Sequence, residues 1–156
     1  MANGDDKARQ KAQACVYRLL KLRARSEGEI RAKLQQKKFT RDIIEGTLDH
    51  FRASNLIDDR NFTRSWIASR LSRPFGSQRI RYELLQKSVD PLIIKDELNK
   101  ALADHSEEDI VLGLAQRRMV QYRRLDPLKA RQRLTGFLSR RGFSQDAVKK
   151  AVHKLL

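Results

Sequence analysis

A block of residues occurs three times in this chain, and that repetition leaves few folds open. Ile30, Leu34, Lys37, Phe39, Thr40, Ile43, Ile44 and Leu48 return 50 residues later as Ile80, Leu84, Lys87, Val89, Asp90, Ile93, Ile94 and Leu98. They return 54 residues further on as Leu134, Leu138, Arg141, Phe143, Ser144, Ala147, Val148 and Val152. Each copy holds two apolar residues one helical turn apart, a cation, an apolar plug, a helix cap and a second apolar stripe. A first helix matches more loosely, as Val16-Leu20, Phe62-Trp66 and Ile110-Leu114. No segment alternates with the period of a strand. The expected fold is therefore all-α, with three tandem three-helix-bundle repeats of helix-turn-helix-like form. They occupy residues 7–57, 58–104 and 105–156. Small units in line, each contacting its neighbours, make an elongated and curved body.

Local signals mark where the helices start and stop. Residues 1–6 are polar and expected to fray, and a first apolar stripe starts near Lys7. Ser26 and Glu29 form a capping box, Thr40 caps a third helix, and Asn55 supplies a left-handed stop. Asp58 caps the fourth helix, with Asp59 adding negative charge at the positive end of its dipole. Pro74 and Gly76 break the chain before a fifth helix from Ser77. Asp90-Pro91 and Asp126-Pro127 each pair a cap with proline at the first helical position. Ser106 and Ser144 cap the seventh and ninth helices. Phe62 and Trp66 fall at apolar positions of the repeat and are expected in the core, while Tyr82 and Tyr122 are candidate surface aromatics. Asp58, Asp59, Phe62, Trp66 and Gly76 thus form a structural motif.

The formal net charge of +15 calls for a polyanionic partner such as nucleic acid, a nucleoprotein, an acidic protein or a membrane surface. The three repeats carry nets of +6, +2 and +7. In the third, Arg117, Arg118, Arg123, Arg124, Lys129, Arg131, Arg133, Arg140 and Arg141 crowd two helices. Arginine's planar fork suits bidentate contact with phosphate or carboxylate. In the second, Arg70, Arg73, Arg79 and Arg81 flank the Pro74-Phe75-Gly76 break, and a reversal there brings them together. With Lys87, the clusters of these two repeats are the candidate surface for a nucleoprotein partner.

Other chemistries find little support. Cys15 is the single cysteine, which excludes an intramolecular disulfide, and it sits on an apolar helical face. His50, His105 and His153 are scattered. No phosphate-binding glycine loop occurs. A two-metal nuclease built from Asp58, Asp59 and Glu83 needs convergent ligands, whereas helix capping already explains the two aspartates. No metal or cofactor is expected. Without a membrane-length apolar stretch or a secretory leader, a cytoplasmic monomer is expected.

The residues also match a known pattern. It comprises Arg25-Ser26, Glu29-Ile30 and Lys33-Leu34, then Leu56-Ile57-Asp58-Asp59-Arg60-Asn61-Phe62, Trp66-Ile67 and Arg70. Gly76, Arg79-Ile80, Glu83-Leu84 and Lys87 follow, and Arg140-Arg141-Gly142-Phe143 completes it. On these residues the chain resembles the RecX family, bacterial regulators of the RecA recombinase, over nearly its whole length. Lys38 and Ser88 depart from the pattern, standing where the family often has the glycine of a Lys-Gly pair. The resemblance implies a protein without enzymatic activity that binds RecA filaments on single-stranded DNA along the helical groove. It further implies inhibition of filament extension, ATP hydrolysis, strand exchange and coprotease activity. That is regulation of homologous recombination, DNA repair and the SOS response. The alternative is a helical repeat protein that binds DNA directly and acts without RecA.

Overall fold

The computed structural model describes residues 2–104 and 106–156, without the side chains of Ala2 and Asn3. His105 lies outside the described residues, and so does the first position of the expected third repeat. Nine α-helices follow one another, with no strand among the described residues. They are α1 (Ala2–Leu22), α2 (Glu27–Gln36), α3 (Arg41–Ala53), α4 (Asp59–Leu71), α5 (Ser77–Gln86), α6 (Pro91–Ala103), α7 (Glu107–Met119), α8 (Pro127–Arg140) and α9 (Gln145–Leu155). A short 3-10 turn, Val120–Tyr122, continues α7 and has no forerunner in the repeat pattern. No helix among the described residues is long and apolar enough to cross a membrane.

Most caps form as expected. Ser26 accepts from Glu29 N–H, and Glu29 answers by accepting from Ser26 N–H. Asp58 accepts from Arg60 and Asn61, Asp126 from Leu128 and Lys129, and Ser144 from Ala147. Thr40 is a correction: it stands at the cap position, but its side chain makes no capping bond. The start of α1 is another, since the helix begins at Ala2 rather than near Lys7. Asp5 in its first turn complements the dipole there.

The backbone turns at the α2–α3, α5–α6 and α8–α9 corners with one device. Lys38, Ser88 and Gly142, at equivalent places in the three repeats, all have positive φ, of 62°, 55° and 81°. Two of the three corners therefore adopt the left-handed conformation without glycine, at a cost of about 1–2 kcal/mol each. Asn55 turns the end of α3 in the same way, with φ 53°.

Contacts divide the chain into two compact units. Unit 1 comprises Met1–Thr63 and Leu85–Ile93, and unit 2 comprises Arg64–Leu84 and Ile94–Leu156. In unit 1, α1 packs on α2 and α3 around Val16, Ile30, Leu34, Leu48 and Phe51. Cys15 is buried in this core as filler. In unit 2, α7, α8 and α9 enclose Val111, Leu134, Leu138, Val148 and Val152. Each such side chain contributes about 1.5–3 kcal/mol through burial. Tyr122 belongs to the same core at 9% exposure, so it is not the surface aromatic its position suggests. Tyr82, by contrast, is 62% exposed.

Candidate functional site

The division into units follows from a joint built twice from the same sequence positions. In unit 1 the Ser26 hydroxyl, at the head of α2, donates to the Lys87 carbonyl at the α5–α6 corner (2.5 Å). One residue on, Glu27 N–H donates to the Asp59 carboxylate (2.9 Å). In unit 2 Gly76, 50 residues after Ser26, donates its N–H to the Arg141 carbonyl at the α8–α9 corner (2.8 Å). Ser77, 50 after Glu27, donates its N–H and hydroxyl to Glu107 (3.1 and 2.9 Å). Asp59 and Glu107 each sit in the first position of a repeat's first helix, and each caps the preceding repeat's second helix. Burial holds the Asp59 carboxyl above its ordinary range, against the opposing pull of the Glu27 N–H.

Small residues make these joints possible. A Cβ on Gly28 would lie 2.3 Å from Ser88 Cβ, and one on Gly76 would lie 2.2 Å from the backbone of Gly142 and Phe143. A Cβ on Gly142 would lie 2.3 Å from Arg79 Cβ. Unit 2 adds the bond from Gln78 N–H to the Gly142 carbonyl (3.1 Å).

Around the unit 2 joint the structure places several candidate arginines, and it occupies them. Arg70 and Arg79 both bind Glu83 (2.6 and 3.0 Å), so two of the four arginines flanking the break converge on one carboxylate. Burial alone would raise Glu83, but bonds from Arg79, Arg70 and Trp66 outweigh it and hold the carboxyl below its usual range. Trp66 is half-buried rather than a full core residue, with its indole N–H on Glu83 (3.0 Å) and Arg70 across its ring (4.5 Å). Phe62 is buried. Arg79 and Arg141 lie over the Phe75 ring at 4.3 and 5.0 Å, and Arg141 also donates to the Arg73 carbonyl. Arg118 stacks on Phe137 (4.6 Å) and donates to the Tyr122 hydroxyl (3.1 Å). These guanidinium–aromatic stacks are worth about 0.5–2 kcal/mol each. Lys87, in unit 1, pairs with Glu29 at 3.4 Å.

The remaining candidates point to solvent. Arg73, Arg81, Arg117, Arg123, Arg124, Arg131 and Arg140 are exposed, and their side chains make no ion pair among the described residues. Sequence periodicity could not separate the two groups, because Arg70 meets Glu83, Arg118 meets Phe137 and Arg141 meets Phe75 and the Arg73 carbonyl, all distant in the chain. The weak forerunner was Glu83, one helical turn after Arg79.

The carboxylates weighed as metal ligands have other work. Asp58 caps α4, Asp59 caps α2, and Glu83 is held by two arginines and a tryptophan. Among the described residues no group of three His, Cys, Asp or Glu is arranged to hold a metal ion.

Comparisons with known proteins place this architecture. Family models described as the first, second and third three-helix domains of RecX match residues 12–51, 58–98 and 106–152. Regulatory protein RecX of Chlorobium phaeobacteroides (strain BS1) is 35% identical over 156 residues, covering 99% of this chain and 98% of the relative. Regulatory protein RecX of Mycobacterium avium (strain 104) is 32% identical over 142 residues, covering 88% and 80%. The crystal structure of RecX from Lactobacillus salivarius superposes with a TM-score of 0.82 at 21% identity, covering 99% of this chain and 98% of that one. A second crystal structure of regulatory protein RecX gives 0.83 at 23% identity, covering 96% and 75%. The two structural likenesses speak for the fold.

Proposed function

The chain belongs to the RecX family, and from that premise we propose that it is a non-enzymatic negative regulator of a RecA recombinase. It binds the RecA filament on single-stranded DNA along its groove and inhibits extension, ATP hydrolysis, strand exchange and coprotease activity. The observation that carries the reading is the match of all three domain models in order along the chain. The charge supports it: a net of +15 suits a nucleoprotein target. The contact surface is formed by the cations left unpaired in the second and third repeats, Arg73 and Arg81 together with Arg117, Arg123, Arg124, Arg131 and Arg140. Arg70, Arg79, Arg118 and Arg141 serve that surface indirectly by holding the helices that carry it. The site of action is the cytoplasm, as a monomer.

The test is RecA ATP hydrolysis on single-stranded DNA with this protein titrated far below one copy per RecA subunit. Inhibition at that ratio is expected, because so little protein cannot mask the DNA. Inhibition only when the protein is abundant enough to coat the DNA would instead leave direct competition for phosphate as the function. Changing Arg117, Arg123 and Arg124 together to Glu should raise the inhibitory concentration without altering the melting temperature.

A further inference from the structure

Helix α8 carries Lys129, Arg131, Arg133 and Arg140 and no carboxylate, and the next acidic residue in the chain is Asp146. At helical spacing, Lys129, Arg133, Gly136 and Arg140 fall on one stripe, opposite the side that buries Ala130, Leu134 and Leu138. The stripe is about 16 Å long. Within it lies a shallow notch of about 430 Å³, lined by Tyr122, Gln132, Arg133, Gly136 and Arg140.

From these residues we infer that the notch is a phosphate-binding site that grips the backbone of single-stranded nucleic acid. Every polar group lining it can donate. Arg133 and Arg140 present guanidinium forks with no ion pair among the described residues. Gln132 offers an amide N–H. The Tyr122 oxygen already accepts from Arg118, which leaves its hydroxyl hydrogen for an acceptor outside. Gly136 is the opening: a Cβ there would lie 3.1 Å from Arg140 Nη1, so glycine leaves the guanidinium room to lie across the helix. No exposed aromatic lines the notch, and the one ring present is buried, so bases have nothing to stack on. The site therefore holds phosphates without regard to sequence. Lys129, one turn before Arg133, extends it toward the neighbouring phosphate.

This inference rests on the reading of a nucleoprotein partner but is tested without any recombinase. Anisotropy of a fluorescein-labelled oligothymidylate is followed across a salt series. The double substitution Arg133→Gln/Arg140→Gln should weaken binding about tenfold and reduce the slope of log K against log salt by about 1.4, the share of two single-strand phosphate contacts. Gly136→Glu should weaken binding at least as much while leaving the melting temperature unchanged or higher, since glutamate is the better helix former. Lys149→Gln/Lys154→Gln removes the same charge from exposed positions of α9 and should cost less than threefold. An unchanged slope in the first variant, an equal loss in the control pair, or no oligonucleotide binding by the native chain would each overturn the site. The first of these results would leave an acidic protein segment as the occupant of the stripe. Failure of the native chain to inhibit RecA hydrolysis would sink the proposed function and leave this binding result standing.

Discussion

Replacing Gly142 with alanine tests the joint of unit 2 directly. Gly142 has φ +81°, where an L-residue costs about 1–2 kcal/mol. The new Cβ would also fall 2.3 Å from Arg79 Cβ and 2.6 Å from Arg79 N. The second atom is backbone in α5 and cannot rotate away, so the α8–α9 corner must move off the head of α5. Two bonds then fail, Gly76 N–H to Arg141 O and Gln78 N–H to Gly142 O, each worth about 1 kcal/mol. The expected loss is about 3–4 kcal/mol, a large part of the stability of a domain this size. Urea unfolding followed by far-UV circular dichroism measures it, with Gly113→Ala as the control. A Cβ at Gly113 meets nothing within 4 Å, so that substitution should be neutral or stabilising by up to about 1 kcal/mol. A loss below about 2 kcal/mol for Gly142→Ala would refute the reasoning, because the left-handed turn alone accounts for that much.

Other outcomes follow from the same structure. Lys38→Gly relieves positive φ at an exposed corner and should gain about 1 kcal/mol, a rise of roughly 2–4 °C in thermal melting. Glu27→Gln removes the bidentate pair with Arg52 (2.7 Å to each oxygen) and should cost about 1 kcal/mol at neutral pH after solvent screening. Arg52 holds the Glu27 carboxyl below the ordinary glutamate range, so its contribution is complete above that range and lost as pH falls through the lowered value. Urea midpoints of native protein and variant should therefore converge on acidification. Arg118→Ala removes one of two guanidinium groups from the Phe137 ring and the donor from the Tyr122 hydroxyl, and should cost about 1–2 kcal/mol in chemical denaturation. Arg117→Ala, exposed on the same helix, should stay within about 0.5 kcal/mol.

Much of the architecture was legible in the residues because the signals are local. A helical stripe such as Ile43, Ile44, Thr47, Leu48 and Phe51 shows its buried face through spacing alone. Ser26, Asp58, Asp126 and Ser144 announce helix starts because the capped N–H groups lie two or three residues away. Asp59 shows where such reading stops. Beside Asp58 it looks like a second charge for its own helix, yet its carboxylate caps α2, 32 residues earlier. Glu107 repeats the contact with Ser77, and nothing near either residue in the chain points to its partner. Arg70, Arg118 and Arg141 looked like free cations because charge is counted along the chain, whereas their pairing and stacking with Glu83, Phe137 and Phe75 happen across it. Repetition and helix period are properties of neighbours in sequence, so three three-helix repeats followed from the residues alone. Which arginines remain for a partner depends on backbones meeting at Gly28, Gly76 and Gly142. That contact requires the absence of a side chain, and only tertiary structure reveals what the missing Cβ makes room for.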